Sequence, residues 1–559
     1  MTVPRDNAPL LSIRNLSIAL PRGGDRAYAV QDITFDIGAG ELVCIVGESG
    51  SGKSMSANAI MGLLPAYLRP ERGEILFQGR DLLKQDEATL RGMRGKDMAM
   101  IFQEPLSALN PLHRVGDQIA EVMQVHGTHD ADARRRRVLE LLEFVGLPDP
   151  PSLYQAFPFA LSGGQRQRVM IAMALALEPA FLIADEPTTA LDVTTQAQIL
   201  ALIARIRKEK GMGVMFVTHD FGVVAEIADR VIVMEKGRIV EQGTAQQVLN
   251  RPVHPYTRRL IASVPSHRPR GAQPGVDAGG YPVLRVQALR KTYTTPGGLF
   301  QRKRVVEAVK DVSFEIRAGE TLGIVGESGS GKSTIGKCLL KLIGNDGGVM
   351  AFEGHDIAPM SERAFRPLRR RIQMIFQDPF ASLNPRHTVG RILCDGPLAS
   401  GVPRAKAEAR ARELLKLVEL DDSAFDRYPS EFSGGQRQRI GIARALAMEP
   451  RLIVADESVS ALDVSVQAQV LRLLADVQKR LGIALIFITH DLRVAAQICD
   501  QVLVMHRGAV VEQGTPAAIF DSPRHAYTRK LIDAMPGKDW DPQTVQAAVP
   551  ADAFALEAS

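Results

Sequence analysis

The same eight residues, Gly-Glu-Ser-Gly-Ser-Gly-Lys-Ser, occur twice in the chain, from Gly47 to Ser54 and from Gly326 to Ser333. Each copy follows a short apolar run, Leu42 to Val46 or Leu322 to Val325, and opens a helical pattern. A buried strand, a glycine-rich turn and a helix in that order form the context of a phosphate-binding P-loop. Gly47, Gly50 and Gly52, like Gly326, Gly329 and Gly331, let the backbone curl. Successive N–H groups through Glu48, Ser49 and Ser51, and through Glu327, Ser328 and Ser330, then converge on phosphate oxygens, and the following helix presents its positive end. Lys53 and Lys332 would then reach the β- and γ-phosphates, and Ser54 and Ser333 would hold Mg²⁺.

A chain of 559 residues is too long for one hydrophobic core. Its 45% hydrophobic and 23% charged residues are those of an ordinary soluble globular protein. No uninterrupted apolar stretch is long enough to span a bilayer. Met1 to Leu11 lacks the basic-then-apolar order of a secretory signal, so the protein is expected to stay in the cytoplasm. Cys44, Cys338, Cys394 and Cys499 lack metal-type spacing and read as reduced packing residues. A net charge of +5 does not by itself call for nucleic acid. The densest basic runs, Arg134 to Arg137 and Arg369 to Arg371, read either as solvated helix faces or as contacts for anionic headgroups or an acidic partner loop.

The repeat extends beyond the P-loops. Leu161-Ser-Gly-Gly-Gln165 answers Phe432-Ser-Gly-Gly-Gln436, Asp185-Glu186 answers Asp456-Glu457, and Thr218-His-Asp220 answers Thr489-His-Asp491, all at one constant offset. A period this long means two whole domains rather than a solenoid. The expected organisation is a first domain over 1–261, a linker rich in Pro and Gly over 262–282, a second domain over 283–536, and a tail over 537–559 that has no strong pattern and is partly disordered.

Each half opens with alternating apolar segments, Leu10 to Leu20 with Ala29 to Ile37, and Val283 to Tyr293 with Ala308 to Ile316, which predict antiparallel strands. Further strands are expected at Ile75 to Gly79 and Val349 to Gly354, and at Met100 and Met374, where each strand stops near a proline and exposes Gln103 or Gln377. Helical spacing in Val138 to Val145 and Leu414 to Val418 marks a helical insert. Phe181 to Ala184, Leu452 to Ala455, Val214 to Val217 and Ala484 to Ile488 read as buried parallel strands. The fold class is therefore α/β, with a mainly parallel core, an antiparallel layer and a helical insert in each half.

Phosphoryl transfer needs a phosphate cradle, a metal, a positioned water and opposing positive charge. Asp185 and Asp456 end apolar strands expected to lie beside the P-loop strand, where a carboxylate can hold Mg²⁺. Glu186 and Glu457 come next and suit a general base for the attacking water; the other reading of such a pair is a helix N-cap region. His219 and His490 are loop histidines or γ-phosphate sensors. Gln103 and Gln377 are surface amides or ligands of Mg²⁺ or water. Ser162, Gly163, Gly164 and Gln165, with Ser433, Gly434, Gly435 and Gln436, make a second anion-binding helix start in each half, suited to a phosphate offered by another domain.

Together these residues resemble the ATP-binding-cassette ATPases, whose signature is the Ser-Gly-Gly-Gln segment. The resemblance covers roughly 10–261 and 283–534. It implies two P-loop cassettes packed head to tail as an intramolecular pseudodimer. One ATP site would join Lys53, Ser54, Gln103, Asp185, Glu186 and His219 to Ser433, Gly435 and Gln436. The other would join Lys332, Ser333, Gln377, Asp456, Glu457 and His490 to Ser162, Gly164 and Gln165. His254-Pro-Tyr-Thr257, His525-Ala-Tyr-Thr528, Leu109-Asn-Pro111 and Leu383-Asn-Pro385 resemble oligopeptide, dipeptide and glutathione importers. Tyr293 fits the position that stacks on adenine; the first half has Leu20 there, with Tyr28 as a substitute. Thr334 suits the α-phosphate, where the first half has Met55. No cysteine cluster follows the His-Pro-Tyr-Thr region, so no iron–sulfur centre is expected.

The resemblance further implies that ATP closes the two halves and hydrolysis releases them. Two integral-membrane permease subunits, docked near Gln103 and Gln377, and an extracytoplasmic substrate-binding protein are the implied partners, with peripheral association at the cytoplasmic side of the inner membrane. A ribosome-associated twin-cassette translation factor is the alternative; such proteins usually carry a long charged helical linker, unlike the Pro/Gly-rich segment here. A chromosome or DNA-repair ATPase would need coiled-coil or zinc-binding insertions.

Overall fold

A computed structural model of the chain describes residues 8–21, 23, 26–128, 130–189, 191–266, 282–295, 304–460 and 462–546. Most of the expected linker and the end of the expected tail lie outside these residues. The strands of the first half are β1 (Leu11–Ala19), β2 (Tyr28–Ile37), β3 (Leu42–Val46), β4 (Pro70–Phe77), β5 (Arg80–Asp81), β6 (Met98–Ile101), β7 (Phe181–Asp185), β8 (Gly213–Val217), β9 (Arg230–Glu235) and β10 (Arg238–Thr244). Every residue of β3, β6, β7 and β8 is buried. Strands of that kind need cover on both faces, which a parallel sheet between helical layers provides. They pair in the order β10-β9-β3-β8-β7-β6, all parallel except β10 against β9. By contrast, the C-terminal part of β2 alternates buried and exposed residues, and it joins the antiparallel sheet β2-β1-β4-β5.

The second half repeats this plan with β11 (Leu284–Thr295), β12 (Arg304–Ile316), β13 (Thr321–Val325), β14 (Gly347–Phe352), β15 (His355–Asp356), β16 (Ile372–Ile375), β17 (Leu452–Asp456), β18 (Ala484–Thr489), β19 (Gln501–His506) and β20 (Ala509–Gly514). Its sheets run β12-β11-β14-β15 and β16-β17-β18-β13-β19-β20. In both halves the sheet order corrects one expectation. The strand ending at Asp185 does not lie beside the P-loop strand: β8 stands between β3 and β7, and β18 between β13 and β17. Equally apolar strands carry no label of their neighbours, and the order is decided by pairing between residues far apart in the chain.

In the helical insert of the first half, Val115–Val125 and Ala131–Phe144 pack against the helix Gly163–Ala174 that the Ser-Gly-Gly-Gln segment opens, and Pro150–Gln155 packs against both of them. In the second half Val389–Ala399 and Arg404–Leu417 pack against Gly434–Leu446. Most of the basic runs have partners inside their own half. Arg134 donates to the Thr128 carbonyl at 2.6 Å, Arg135 lies over the Tyr154 ring, and Arg137 bonds Glu178 at 2.9 Å. Arg369 pairs with Glu362, and Arg371 with Glu353. All four cysteines are buried, without disulfides.

The chain divides into two compact units. One is built from residues up to Leu191, from Thr195–Val264 and from Pro536 onward; the other from Asp192–Thr194 and Pro265–Met535. The start of the segment expected as a tail therefore belongs to the first unit. There the Gly537 N–H donates to Glu226 at 3.2 Å, and Val545 is buried.

Each antiparallel sheet carries a bulge at the same place. Asn15 and Ala288 adopt φ 48°, and the register of β1 with β4 and of β11 with β14 shifts beside them. Opposite the bulges stand Gly73 (φ 101°) and Gly348 (φ 90°), where a Cβ would come within 2.6 Å of the Arg14 carbonyl oxygen and 2.4 Å of that of Ala288. Backbone leaves no room to yield. Gly73→Ala or Gly348→Ala is expected to cost about 1–3 kcal/mol. Differential scanning calorimetry should show the unfolding midpoint of the affected unit falling by roughly 2–4 °C per kcal/mol; an unchanged midpoint would contradict this account of the bulge.

Candidate functional site

In each half the chain leaves its central strand, β3 or β13, through the P-loop and enters the helix Lys53–Ile60 or Lys332–Leu339. Glycine is required where this loop presses on its surroundings. A Cβ on Gly47 would stand 2.2 Å from the Met234 carbonyl oxygen, and one on Gly52 2.7 Å from that of Ala29. Gly326 and Gly331 are confined in the same way, at 2.3 Å from Met505 and 2.1 Å from Ala308. On the open side of the loop, Gly50 and Gly329 have nothing within 4 Å of such a Cβ. Lys53 Nζ lies 2.7 Å from the Gly47 carbonyl oxygen and 2.9 Å from that of Glu48; for Lys332 the distances to Gly326 and Glu327 are 2.7 and 2.8 Å.

Around each loop stand the residues selected from the sequence. The Ser54 hydroxyl donates to Asp185 Oδ1 at 3.0 Å, and that of Ser333 to Asp456 at 2.9 Å. Gln103 Nε2 donates to Glu186 Oε2 at 3.0 Å, and Gln377 to Glu457 at 2.8 Å. His219 Nδ1 lies 3.3 Å from the other Glu186 oxygen, and His490 Nδ1 3.6 Å from Glu457. Both glutamates sit in the left-handed region, at φ 47° and 45°, a costly conformation for a side chain of this size. That backbone is held by the Glu186 N–H donating to the Val217 carbonyl and the Glu457 N–H to that of Ile488, each at 2.9 Å.

The adjacent carboxylates are pushed apart electrostatically. Burial raises Asp185, against the hydrogen bond from Ser54, to a pKa of about 6. Asp456 is raised for the same reason. At Glu186 and Glu457 burial also favours the neutral acid, but the hydrogen bond and charge of His219 or His490 and the charge of the P-loop lysine outweigh it and hold both below the ordinary glutamate range. Burial disfavours the charged form of His490, yet Glu457 raises it overall. A carboxylate kept ionised next to one in which burial outweighs the nearby lysine charge is how acid–base and ion-binding roles can be divided between neighbours.

The donor set suits a hard divalent cation: a hydroxyl, a carboxylate and an amide carbonyl, all oxygen. Asp185 and Asp456 are buried carboxyls raised toward the neutral acid, and the charge of such an ion would favour their ionised form. The loop suits phosphate oxygens, because the buried Ser51 and Ser330 hydroxyls have no hydrogen-bond partner among the described residues.

Ser162–Gln165 and Ser433–Gln436 form helix starts of their own. Ser162 Oγ accepts from the Gln165 N–H at 3.3 Å while Gln165 Oε1 accepts from the Ser162 N–H at 3.0 Å, and Ser433 and Gln436 repeat the box at 3.4 and 3.0 Å. Gly163 and Gly434 lie at the starts of these helices, and Gly164 and Gly435 pack against Thr195 and Val466, where a Cβ would come within 2.6 and 2.2 Å. Tyr293 is 42% exposed on β11, and Tyr28 opens β2. Leu20 and Met55 pack on the core beneath the first antiparallel sheet, and Thr334 is half-buried in the first turn of its helix.

Sequence reasoning assigned no chemistry to Tyr256 and Tyr527. The Glu48 N–H donates to the Tyr256 phenol oxygen at 3.1 Å, and the Glu327 N–H to that of Tyr527 at 3.1 Å. Their recurrence at one place in both halves was the available signal.

The chain matches the ABC transporter family over 30–189 and 309–460, and the C-terminal region of oligopeptide/dipeptide transporters over 240–283 and 511–552. It is 48% identical over 531 residues to the peptidoglycan transport ATP-binding protein YejF of Agrobacterium fabrum, covering 94% of this chain and 96% of that one. It is 47% identical over 564 residues to the glutathione import ATP-binding protein GsiA of Escherichia coli, covering 95% and 90%. Among solved structures, the ATP-binding cassette MJ0796, a post-hydrolysis dimer bound to ADP and Pi, matches 42% of this chain and 98% of its own with 31% identity and a TM-score of 0.39. With a complete P-loop, carboxylate pair and histidine in each half, and relatives similar along almost its whole length, this chain belongs to the ABC transporter family as a tandem-cassette ATPase that binds and hydrolyses ATP.

Proposed function

We propose that the protein drives import of peptides, hydrolysing ATP in both halves. The observation that carries the enzymatic part is the duplicated contact set around Glu186 and Glu457. Each glutamate is the general base that orients and deprotonates the attacking water, and each is already ionised to do so. His219 and His490 hold the glutamate from one side and sense the γ-phosphate; Gln103 and Gln377 hold it from the other. Ser54, Asp185 and Gln103, with Ser333, Asp456 and Gln377, are the residues that would hold Mg²⁺, which supplies positive charge to the phosphate oxygens. The P-loop backbones and the helix starts at Ser162 and Ser433 contribute the remaining phosphate contacts, and Tyr293 stacks on adenine.

Import is supported by the match of both halves to the C-terminal region of oligopeptide/dipeptide transporters. Peptidoglycan and glutathione, the cargoes in the relatives' names, both contain amide-linked amino acids. Among the described residues no helix is long and apolar enough to cross a membrane. The translocation path then belongs to separate subunits: two integral-membrane permeases, served by an extracytoplasmic substrate-binding protein, with this chain peripheral at the cytoplasmic side of the inner membrane.

The Glu186→Gln, Glu457→Gln double variant is expected to bind ATP like the wild type while steady-state hydrolysis falls at least about 100-fold. Undiminished turnover in that variant would reject the general-base assignment. Affinity purification from detergent-solubilised membranes is expected to recover integral-membrane subunits with this chain, and in the reconstituted assembly short peptides with their binding protein should stimulate ATP hydrolysis. Recovery with ribosomes instead would favour the translation-factor reading, and stimulation only by non-peptide solutes would remove peptides as the cargo.

A further inference from the structure

The His-Pro-Tyr-Thr and His-Ala-Tyr-Thr segments have no part in the chemistry above, yet each is tied to the P-loop of its own half. Tyr256 lies on the helix Pro255–Ser263 and Tyr527 on Ala526–Asp533, and only 4% and 7% of their surfaces are exposed. Besides accepting from the Glu48 N–H at 3.1 Å, the Tyr256 phenol donates to Glu48 Oε2 at 3.3 Å; Tyr527 accepts from the Glu327 N–H at the same 3.1 Å. The peptide between Gly47 and Glu48 is planar and trans, so its N–H and its carbonyl point in opposite directions. One edge of that plane is held by the phenol and the other by the P-loop lysine, 2.7 Å from the carbonyl oxygen in both halves.

The tyrosines are themselves anchored. Glu241 accepts from the N–H groups of Val253 at 2.8 Å and His254 at 3.1 Å, and Glu512 from those of Arg524 at 2.8 Å and His525 at 3.1 Å. The imidazoles of His254 and His525 then cap the helix start by accepting from the N–H groups of Tyr256 at 3.3 Å and Tyr527 at 3.1 Å. A strand carboxylate, a capping histidine, a phenol and a P-loop peptide thus form one hydrogen-bonded strut, built twice. Burial pushes the Tyr527 phenol up to about 12, so it stays a neutral donor and acceptor through physiological pH.

We infer that Tyr256 and Tyr527 are positioning residues for nucleotide, each phenol fixing the first P-loop peptide and, through its carbonyl, the place of the P-loop lysine. This rests on the reading that the loops hold the phosphates of ATP. It gives the oligopeptide/dipeptide C-terminal region a task at the nucleotide site of its own half. Without the phenol oxygen, a part-buried N–H loses its acceptor and the loop must be ordered when nucleotide arrives, which weakens binding. Glu186 and Glu457 keep their own contacts to Gln103 with His219 and to Gln377 with His490, so the effect falls on affinity more than on turnover.

The full chain carrying Tyr256→Phe and Tyr527→Phe tests this, with equilibrium binding of trinitrophenyl-ATP and steady-state hydrolysis as readouts. The expected result is a rise of roughly five- to tenfold in Kd for the probe and in KM for ATP, with kcat within about twofold of wild type. An unchanged Kd, or a fall in kcat with KM unaltered, overturns the inference. His254→Ala with His525→Ala frees the helix start while keeping the phenol; it should raise KM in the same direction by less, and it decides the matter if the phenylalanine variant does not fold. Lys53→Ala with Lys332→Ala is the control: wild-type probe affinity there would reject the P-loop reading itself.

Discussion

A hydrogen bond from the serine after each P-loop lysine to the aspartate ending β7 or β17 joins residues 131 and 123 positions apart, and the rest of each half is arranged to make it. The two strands are not neighbours, so β8 or β18 must pair with both in the correct register. A slip of two residues would move the aspartate by about 6.6 Å and break the contact. Because β3, β6, β7 and β8 are parallel, their C-terminal ends lie on one edge of the sheet. The P-loop, Gln103, Asp185 with Glu186, and His219 each follow one of those ends. Ligand sites in open α/β sheets gather at that edge for this reason.

The site is organised by two carboxylates with opposite electrostatic environments. Asp185 and Asp456 face the hydroxyl of the P-loop helix and are raised by burial; Glu186 and Glu457 face an imidazole and a lysine and are held ionised. Adjacent residues of one strand end receive these different surroundings because the backbone turns into the left-handed region at the glutamate. That turn aims its side chain at Gln103 and His219, away from the helix start that the aspartate contacts. The strained torsion is maintained by a bond to the neighbouring strand's carbonyl, so strand pairing and site geometry are one arrangement.

Much of this was legible in the residues themselves. The duplicated Gly-Glu-Ser-Gly-Ser-Gly-Lys-Ser, the Asp-Glu pairs and the Thr-His-Asp segments stand at constant spacing after apolar runs, and a motif whose chemistry is local can be read locally. Strand order was not legible in that way. Phe181 to Ala184 and Val214 to Val217 are equally apolar, and nothing in either run states which of them lies next to Leu42–Val46. Nor did the arginine runs announce their partners, since Thr128 and Tyr154 reach Arg134 and Arg135 from elsewhere in the insert, and Glu178 reaches Arg137 from beyond the helix Gly163–Ala174.

Sequence alone determined that this is a duplicated phosphate-binding α/β protein and which side chains are the candidates for its chemistry, because glycine-rich turns, buried strands and helix caps depend on residues close together in the chain. Tertiary structure alone decided that β8 separates β3 from β7, that Gly537 and Val545 join the first unit, and that Tyr256 and Tyr527 reach back to the P-loops. Those contacts depend on which distant surfaces pack together, and hydrophobic pattern specifies that a face is buried without specifying what buries it.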